Sequence, residues 1–201
     1  MTPELKQQFQ ALGFTNAAMA KLERYAALIT QWNKAINLVA PSTLPHLWER
    51  HLLDSAQLWP IIREFDDTTL VDLGSGGGLP ALVLAMAGAK HVTMVESDTR
   101  KCVFLREVSR ETNLTNVTVI NERIEKTQGI ESPIITARAL ASLAQLVEWS
   151  LPLLKPNGKM VFLKGADVEQ EISALPLEYQ NKITLKQSVT ASDARIVTMT
   201  L

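Results

Sequence analysis

Gly74, Gly76 and Gly78 punctuate the run VDLGSGGGLPALVLAM, with apolar stretches on both sides. Such a turn lets backbone approach a ligand where any Cβ would collide. Asp72 stands two residues before the first glycine, Ser75 lies between the glycines, and Leu79 follows the last. Glu96 closes the next apolar run, HVTMV, where a carboxylate accepts both hydroxyls of a ribose. The dinucleotide fingerprint G-x-G-x-x-G fits at Gly74 and Gly76 and fails at Leu79. A P-loop needs G-K-[ST], and GGGLPAL has neither lysine nor hydroxyl. Pro80 removes a donor where a pyrophosphate would need one. The pattern favours a nucleoside ligand without pyrophosphate, S-adenosylmethionine, over NAD or flavin and over a loop that binds nothing.

Other polar residues fall at positions that suit the same site. The segment NERIE places Glu122, Arg123 and Ile124 after a third strand, at the edge where open α/β sheets bind ligands. Glu125 reads as a solvated helix start. Arg138, in TARA, ends a fourth strand and opens the following helix, where a cation is unfavourable against the helix dipole unless something anionic justifies it. Lys164 ends a fifth strand, as a phosphate contact or a solvated strand end. Upstream, Arg50, His51 and Asp54 crowd a helix that otherwise must pack, either as site residues or as a core network. Asn37 reads as a helix cap. The tryptophans and Cys102 read as core, although one tryptophan face at the pocket would let a base stack.

The elements that must carry these residues fall into two groups. Residues 1–66 read as a helical cap. TPELKQQFQALGF puts Leu5, Phe9 and Leu12 on one face and ends at Gly13. A second helix carries Leu22, Tyr25, Ala26, Ile29 and Trp32. A third spans STLPHLWERHLLDSAQLWPIIREF, capped at Ser42 or Thr43 and bent or ended at Pro60. Residues 67–201 then alternate strand and helix, the signature of a mostly parallel sheet. LKPNG reads as a turn before the strand KMVFLKG. KITLKQSV and ARIVTMTL read as a terminal antiparallel hairpin. The fold class is α/β, a Rossmann-like sheet with an N-terminal helical cap.

Composition narrows the function. Apolar residues make up 46% of the 201 and charged residues 20%, which suits a packed domain, not disorder. One cysteine excludes an internal disulfide framework and a cysteine-rich metal site. The formal net charge of -1 gives no global argument for nucleic-acid binding, so any such contact needs a local basic rim. Lys21, Arg24, Arg50, Arg100, Lys101, Arg106, Arg110 and Arg123 are the cations available for one. The N-terminus lacks an apolar targeting region and no long apolar run occurs, so the chain reads as soluble and cytoplasmic, without a membrane partner.

WNKAINL, RHLLDS, DLGSGGGLPALVLA, VESDTRKCVFLREV, NERIE and ARALASLAQLVEWSLPLLKPNGKMVFLKG together resemble the RsmG family, also called GidB. These are bacterial methyltransferases of small-subunit ribosomal RNA. The resemblance implies a class I S-adenosylmethionine-dependent methyltransferase acting on N7 of a guanine in the 530 loop of 16S rRNA, as a monomer without metal. It implies cofactor contacts at the glycine turn, Glu96, residues 122–124 and Arg138. It implies a substrate-side set of Asn37, Arg50, His51, Asp54, Arg138 and Lys164, with Arg138, His51 and Asp54 nearest the chemistry. The chain departs from the family pattern at Val39, where threonine is usual, and at Ala81, where glycine is frequent. Guanine N7 already carries a free lone pair, so alignment matters more than a base. The sequence shows no N-P-P-Y or D-P-P-Y run of amino-methylating enzymes. Three other readings stand beside this one: a methyltransferase of another RNA or a small molecule, a nicotinamide oxidoreductase, and a non-enzymatic ribosome assembly factor.

Overall fold

The computed structural model describes residues 1–201. Helix α1, Pro3–Ala11, starts where the Thr2 hydroxyl accepts the Leu5 N–H and buries Leu5 and Phe9. Helix α2, Asn16–Trp32, is capped in the same way by Thr15 and buries Leu22, Tyr25, Ala26 and Ile29 at helical spacing. The third helix expected from the sequence is not continuous. A 3₁₀ segment at Pro41–His46 runs into a π turn at Trp48–Leu53, then short helices α3, Asp54–Ala56, and α4, Trp59–Ile62. Neither Ser42 nor Thr43 caps it, and the π turn falls on the stretch holding Arg50 and His51.

The rest alternates as expected. Strand β1, Thr69–Leu73, leads to α5, Ala81–Ala87, then β2, His91–Glu96, α6, Thr99–Glu111, and β3, Val117–Asn121. Strand β4, Ser132–Arg138, is followed by α7, Leu143–Ser150, and β5, Leu154–Lys164. Helices α8, Val168–Ser173, and α9, Leu177–Gln180, which no sequence signal had suggested, precede the hairpin β6, Ile183–Gln187, and β7, Arg195–Thr200. The sheet order is β3-β2-β1-β4-β5-β7-β6, parallel through β5 and antiparallel in β7 and β6. LKPNG is not a free turn. It lies inside β5 as an excursion, with Ser132 paired to Leu154 and Ile134 to Lys159.

Side-chain alternation along the strands decides which residues meet the cap. Leu70 of β1 and Ile134 of β4 join one apolar cluster with α1, α2, α4, α5 and α6. Val71, Leu73, Ile135 and Ala137 face the other way, into a cluster with α7 and α8. Asp72, Thr136 and Arg138 therefore share the cap side, and the helical N-terminal region belongs to the same core as that face of the sheet. A buried polar bond joins α2 to the glycine loop: the hydroxyl of Tyr25, fully buried, donates to the Gly77 carbonyl. Burial pushes its pKa up, so the hydroxyl remains a donor.

The Tyr25 bond generates a test. Tyr25→Phe keeps the ring and leaves a buried carbonyl without its partner, a loss of about 1–3 kcal/mol. Urea unfolding is expected to show a lower midpoint with an unchanged slope, and an unchanged midpoint would show that the loop does not depend on the cap hydroxyl.

Candidate active site

A cavity of about 350 Å³ lies across the carboxyl ends of β1, β2, β3 and β4. Gly74, Ser75, Gly76 and Leu79 form one side, Glu96 the floor, and Glu122, Arg123 and Ile124 the far side. These expected residues are thus brought together, with Arg138 at the cap end. Gly76 has φ +55°, which an L side chain rarely adopts. Its N–H donates to Glu96 Oε2 at 2.8 Å, while Glu96 Oε1 accepts the Asp98 N–H at 2.7 Å. The carboxylate is oriented by backbone and retains further lone pairs on both oxygens.

Two residues of the turn take other places. Gly78 is buried off the cavity, where a Cβ would lie 2.4 Å from Leu82 Cδ1, so its small size serves helix packing. Asp72 is buried beneath the loop and does not reach the cavity wall. Its Oδ1 accepts the Thr136 hydroxyl at 2.6 Å, and its Oδ2 has no partner. Burial pushes this carboxyl up to about 6. Glu125, read as a solvated position, borders the cavity as well.

Sequence reasoning missed Leu38 and Trp149, which also line this cavity. Leu38 is held there by Asn33, the cap of α2. Asn33 Oδ1 accepts the N–H groups of Leu38 and Val39 at 2.8 and 3.0 Å, and its amide donates to the Val39 carbonyl at 3.1 Å. The signal was present as WNKAINL, but the asparagine that matters structurally is Asn33. Asn37 ends no helix, is exposed and borders neither large cavity at the sheet edge. Trp149 packs partly into the α7 layer and presents the rest of its surface to the cavity.

A second cavity of about 720 Å³ adjoins on the cap side, lined by Thr43, Arg50, His51, Asp54, Lys164 and the 190–194 segment. Arg138 and Ala139 line both cavities. Arg138 does not open a helix: α7 begins at Leu143 behind the cap Ser142, so the helix dipole does not act on it. Its Nη1 donates to Asp54 Oδ2 and to the Arg50 carbonyl, both at 3.3 Å, and its Nη2 donates to His51 Nδ1 at 3.0 Å. All three acceptors come from the π turn and the residue that follows it. Nε–H and one Nη2 hydrogen are left for other partners.

That contact fixes the state of His51. With Nδ1 accepting, Nε2–H donates to Thr43 Oγ1 at 2.7 Å, and the Thr43 hydroxyl donates to the Ala40 carbonyl at 2.7 Å. Burial, with Arg138 and Arg50 beside it, pushes His51 down to about 4. The ring is a neutral acceptor, not a free base.

Lys164 is not a solvated strand end: its side chain is largely buried and borders the larger cavity. It shares strand parity with Phe162, which faces the α7 and α8 layer. Its Nζ pairs with Glu171 Oε2 at 2.7 Å and donates to the Ala141 carbonyl at 2.8 Å. The pair ties α8 to the chain just beyond Arg138. The basic rim is also smaller than the composition suggested. Arg24 and Arg110 pair with Glu111, Arg110 also with Glu107, and Arg100 with Asp98. Arg106 Nη2 donates to the Val119 carbonyl. Arg50, Lys101 and Arg123 form no ion pair and border the two cavities.

A mostly parallel sheet in this order, with a glycine turn after β1 and a carboxylate ending β2, defines a class I methyltransferase of the Rossmann-like type. Solved structures share the fold: a putative methyltransferase, yhhF, from Escherichia coli at TM-score 0.58 and 14% identity, covering 73% of this chain and 85% of that one. A tRNA (m1A58) methyltransferase from Aquifex aeolicus also gives TM-score 0.58 at 14% identity, over 70% and 66% of the two chains. Residues 18–198 match the GidB family model, described as rRNA small subunit methyltransferase G, and the chain belongs to that family. Ribosomal RNA small subunit methyltransferase G of Paramagnetospirillum magneticum is 50% identical over 83% of this chain and 80% of its own length. The Cereibacter sphaeroides protein of the same name is 42% identical over 98% and 96%.

Two buried groups predict opposite pH dependences. Between about pH 4 and 6.5 the unfolded chain protonates His51 and the folded chain does not, so this contribution is lost as pH falls. Between 3.8 and about 6 the folded chain holds a proton on Asp72 that the unfolded chain releases, so that contribution is lost as pH rises. Relative to the unsubstituted protein, His51→Gln is expected to gain stability as pH is lowered through the first window. Asp72→Asn is expected to lose stability as pH is lowered through the second. Urea unfolding across pH 4 to 7 reads both differences; slopes of the same sign would overturn the assignment.

Proposed function

We propose that the chain transfers a methyl group from S-adenosylmethionine to N7 of a guanine in the 530 loop of 16S rRNA, within the small ribosomal subunit. The observation that carries this reading is Arg138, shared by a ribose-type site and a larger cleft. When bound, S-adenosylmethionine supplies an electrophilic methyl on sulfur. The residues present fit it. Glu96 offers oriented carboxylate oxygens for the ribose, Ile124 and Trp149 offer apolar surface for the purine, and the Gly74–Gly76 backbone permits close approach.

The larger cleft takes the target nucleotide. Guanine N7 needs no deprotonation, and the His51 lone pair already accepts from Arg138. Arg138 orients the guanine by donating to O6 through the hydrogens its protein partners leave over, so that the N7 lone pair stays free for the methyl. Asp54, His51 and the Arg50 carbonyl hold that guanidinium still, which lowers the cost of alignment. Arg50, Lys101 and Arg123 supply the cations for phosphate contacts.

Incubation with labelled S-adenosylmethionine and small subunits lacking the modification, followed by mapping of the labelled base, tests the reading. Label elsewhere, or none, would overturn it. Two substitutions separate the roles. Glu96→Gln is expected to weaken cofactor binding about tenfold or more, since it removes charge-assisted bonds, with the fold intact. Arg138→Lys is expected to keep most cofactor affinity and lose about tenfold or more in single-turnover methylation. Calorimetry and single turnover on the same preparations check both.

A further inference from the structure

The connection between β6 and β7 forms the wall of the larger cleft opposite the π turn, and it is latched to that turn by side chains far away in sequence. Gln57, buried between α3 and α4, donates one amide hydrogen to Asp54 Oδ1 at 2.8 Å and the other to Ser188 Oγ at 3.0 Å. Its carbonyl oxygen accepts the Val189 N–H at 2.9 Å. Thr190 Oγ1 donates to Asp54 Oδ1 at 2.7 Å, which leaves Ser188 as the donor across the 2.9 Å contact between the two hydroxyls. Ser188 Oγ also accepts the Thr190 N–H at 3.2 Å. Every polar atom has a partner and every hydroxyl one direction, the condition under which a buried network fixes a single arrangement.

We propose that Gln57 and Thr190 are positioning residues for methyl transfer: they hold the Asp54 carboxylate in the orientation from which it fixes Arg138. Asp54 accepts three donors. Two come from the latch on Oδ1, and the third is Arg138 on Oδ2. With Oδ1 pinned, Oδ2 has one direction, and the guanidinium inherits it. The same bonds hold the 188–194 segment as a fixed wall, closed internally where Gln187 Nε2 lies 3.0 Å from both the Ala191 and Ser192 carbonyls. This inference rests on the methyltransferase reading above.

Thr190→Val removes the hydroxyl at constant shape, and Thr190→Ser retains it. Single-turnover methylation of small subunits is expected to fall about tenfold in Thr190→Val and to stay within about twofold in Thr190→Ser, with the cofactor Kd unchanged in both. Gln57→Met keeps length without the amide. It is expected to speed hydrogen exchange at the Val189 amide and to slow methylation as Thr190→Val does. The Arg138 Nε–H resonance is expected to broaden or shift in Thr190→Val and Gln57→Met alike, whether or not RNA is present. Wild-type turnover in folded Thr190→Val with an unmoved Arg138 resonance would overturn the proposal. Equal losses in Thr190→Ser and Thr190→Val would do the same, as would a rate loss that merely follows the folded fraction. If the unsubstituted protein does not methylate the subunits, the functional reading fails, and the latch is then decided by the Val189 exchange and the Arg138 resonance alone.

Discussion

A guanidinium at the end of a buried strand is costly unless fixed acceptors replace its water. Arg138 is placed there by β4, whose alternation puts Ile134, Thr136 and Arg138 on the cap side. The acceptors it meets are a carbonyl, an imidazole nitrogen and a carboxylate oxygen, from residues 50, 51 and 54. An α-helix would bond the Asp54 N–H to the Arg50 carbonyl. Here that N–H reaches the Glu49 and His51 carbonyls instead, and the Arg50 carbonyl accepts from Arg138. The π turn is the local price of presenting three acceptors to one cation, and such turns recur at functional sites for this kind of reason. The cap is thereby more than a cover over an apolar face: it completes the polar shell of a strand-end residue that the sheet alone leaves bare.

The turn at 74–78, the carboxylate at Glu96 and the alternation of strands and helices were legible because each depends on local spacing. Glycine placement and a strand-ending acid do not need a partner to be read. The π turn was not legible, since the apolar positions of STLPHLWERHLLDS fit a regular helix and the deviation is imposed by Arg138 from another element. The ion pair of Lys164 was not legible for a related reason: its partner Glu171 sits on α8, a short helix with no clear periodic signal. LKPNG has turn chemistry, yet β4 keeps pairing on both sides of it, so the residues bulge within β5. Gly78 and Gly76 look alike in sequence, and only the packing of Leu82 and Leu105 separates a spacing glycine from one at the cavity.

Charge pairing reshapes the basic rim in the same way. On α6, Arg110 pairs with Glu107 and Glu111 and Arg100 with Asp98, while Glu111 also pairs with Arg24 of α2. Exposed pairs of this kind add little stability, but they remove cations from the inventory available to phosphates. Of the expected rim, Arg50, Lys101 and Arg123 remain beside the cavities, and Lys21 remains away from them with its Nζ on the Asn113 carbonyl. A protein of net charge -1 gains little from unstructured electrostatic attraction, so shape and contacts inside the cleft carry more of the recognition of a folded RNA.

The two cavities meet at one residue pair, and this arrangement constrains the chemistry. Ala139 takes φ +50°, turning the chain away directly after Arg138 and before the cap of α7. Lys164, through the Ala141 carbonyl and Glu171, anchors the far end of that short segment. Arg138 is thus held on its side chain by the cap and followed by a backbone held by α8, with little freedom at either end. A site meant to move protons would place a titrating group here. This one places a histidine whose lone pair is already engaged, and whose protonation would break the contact that orients the arginine. The design suits a reaction in which the nucleophile arrives with its lone pair exposed and the enzyme's task is alignment.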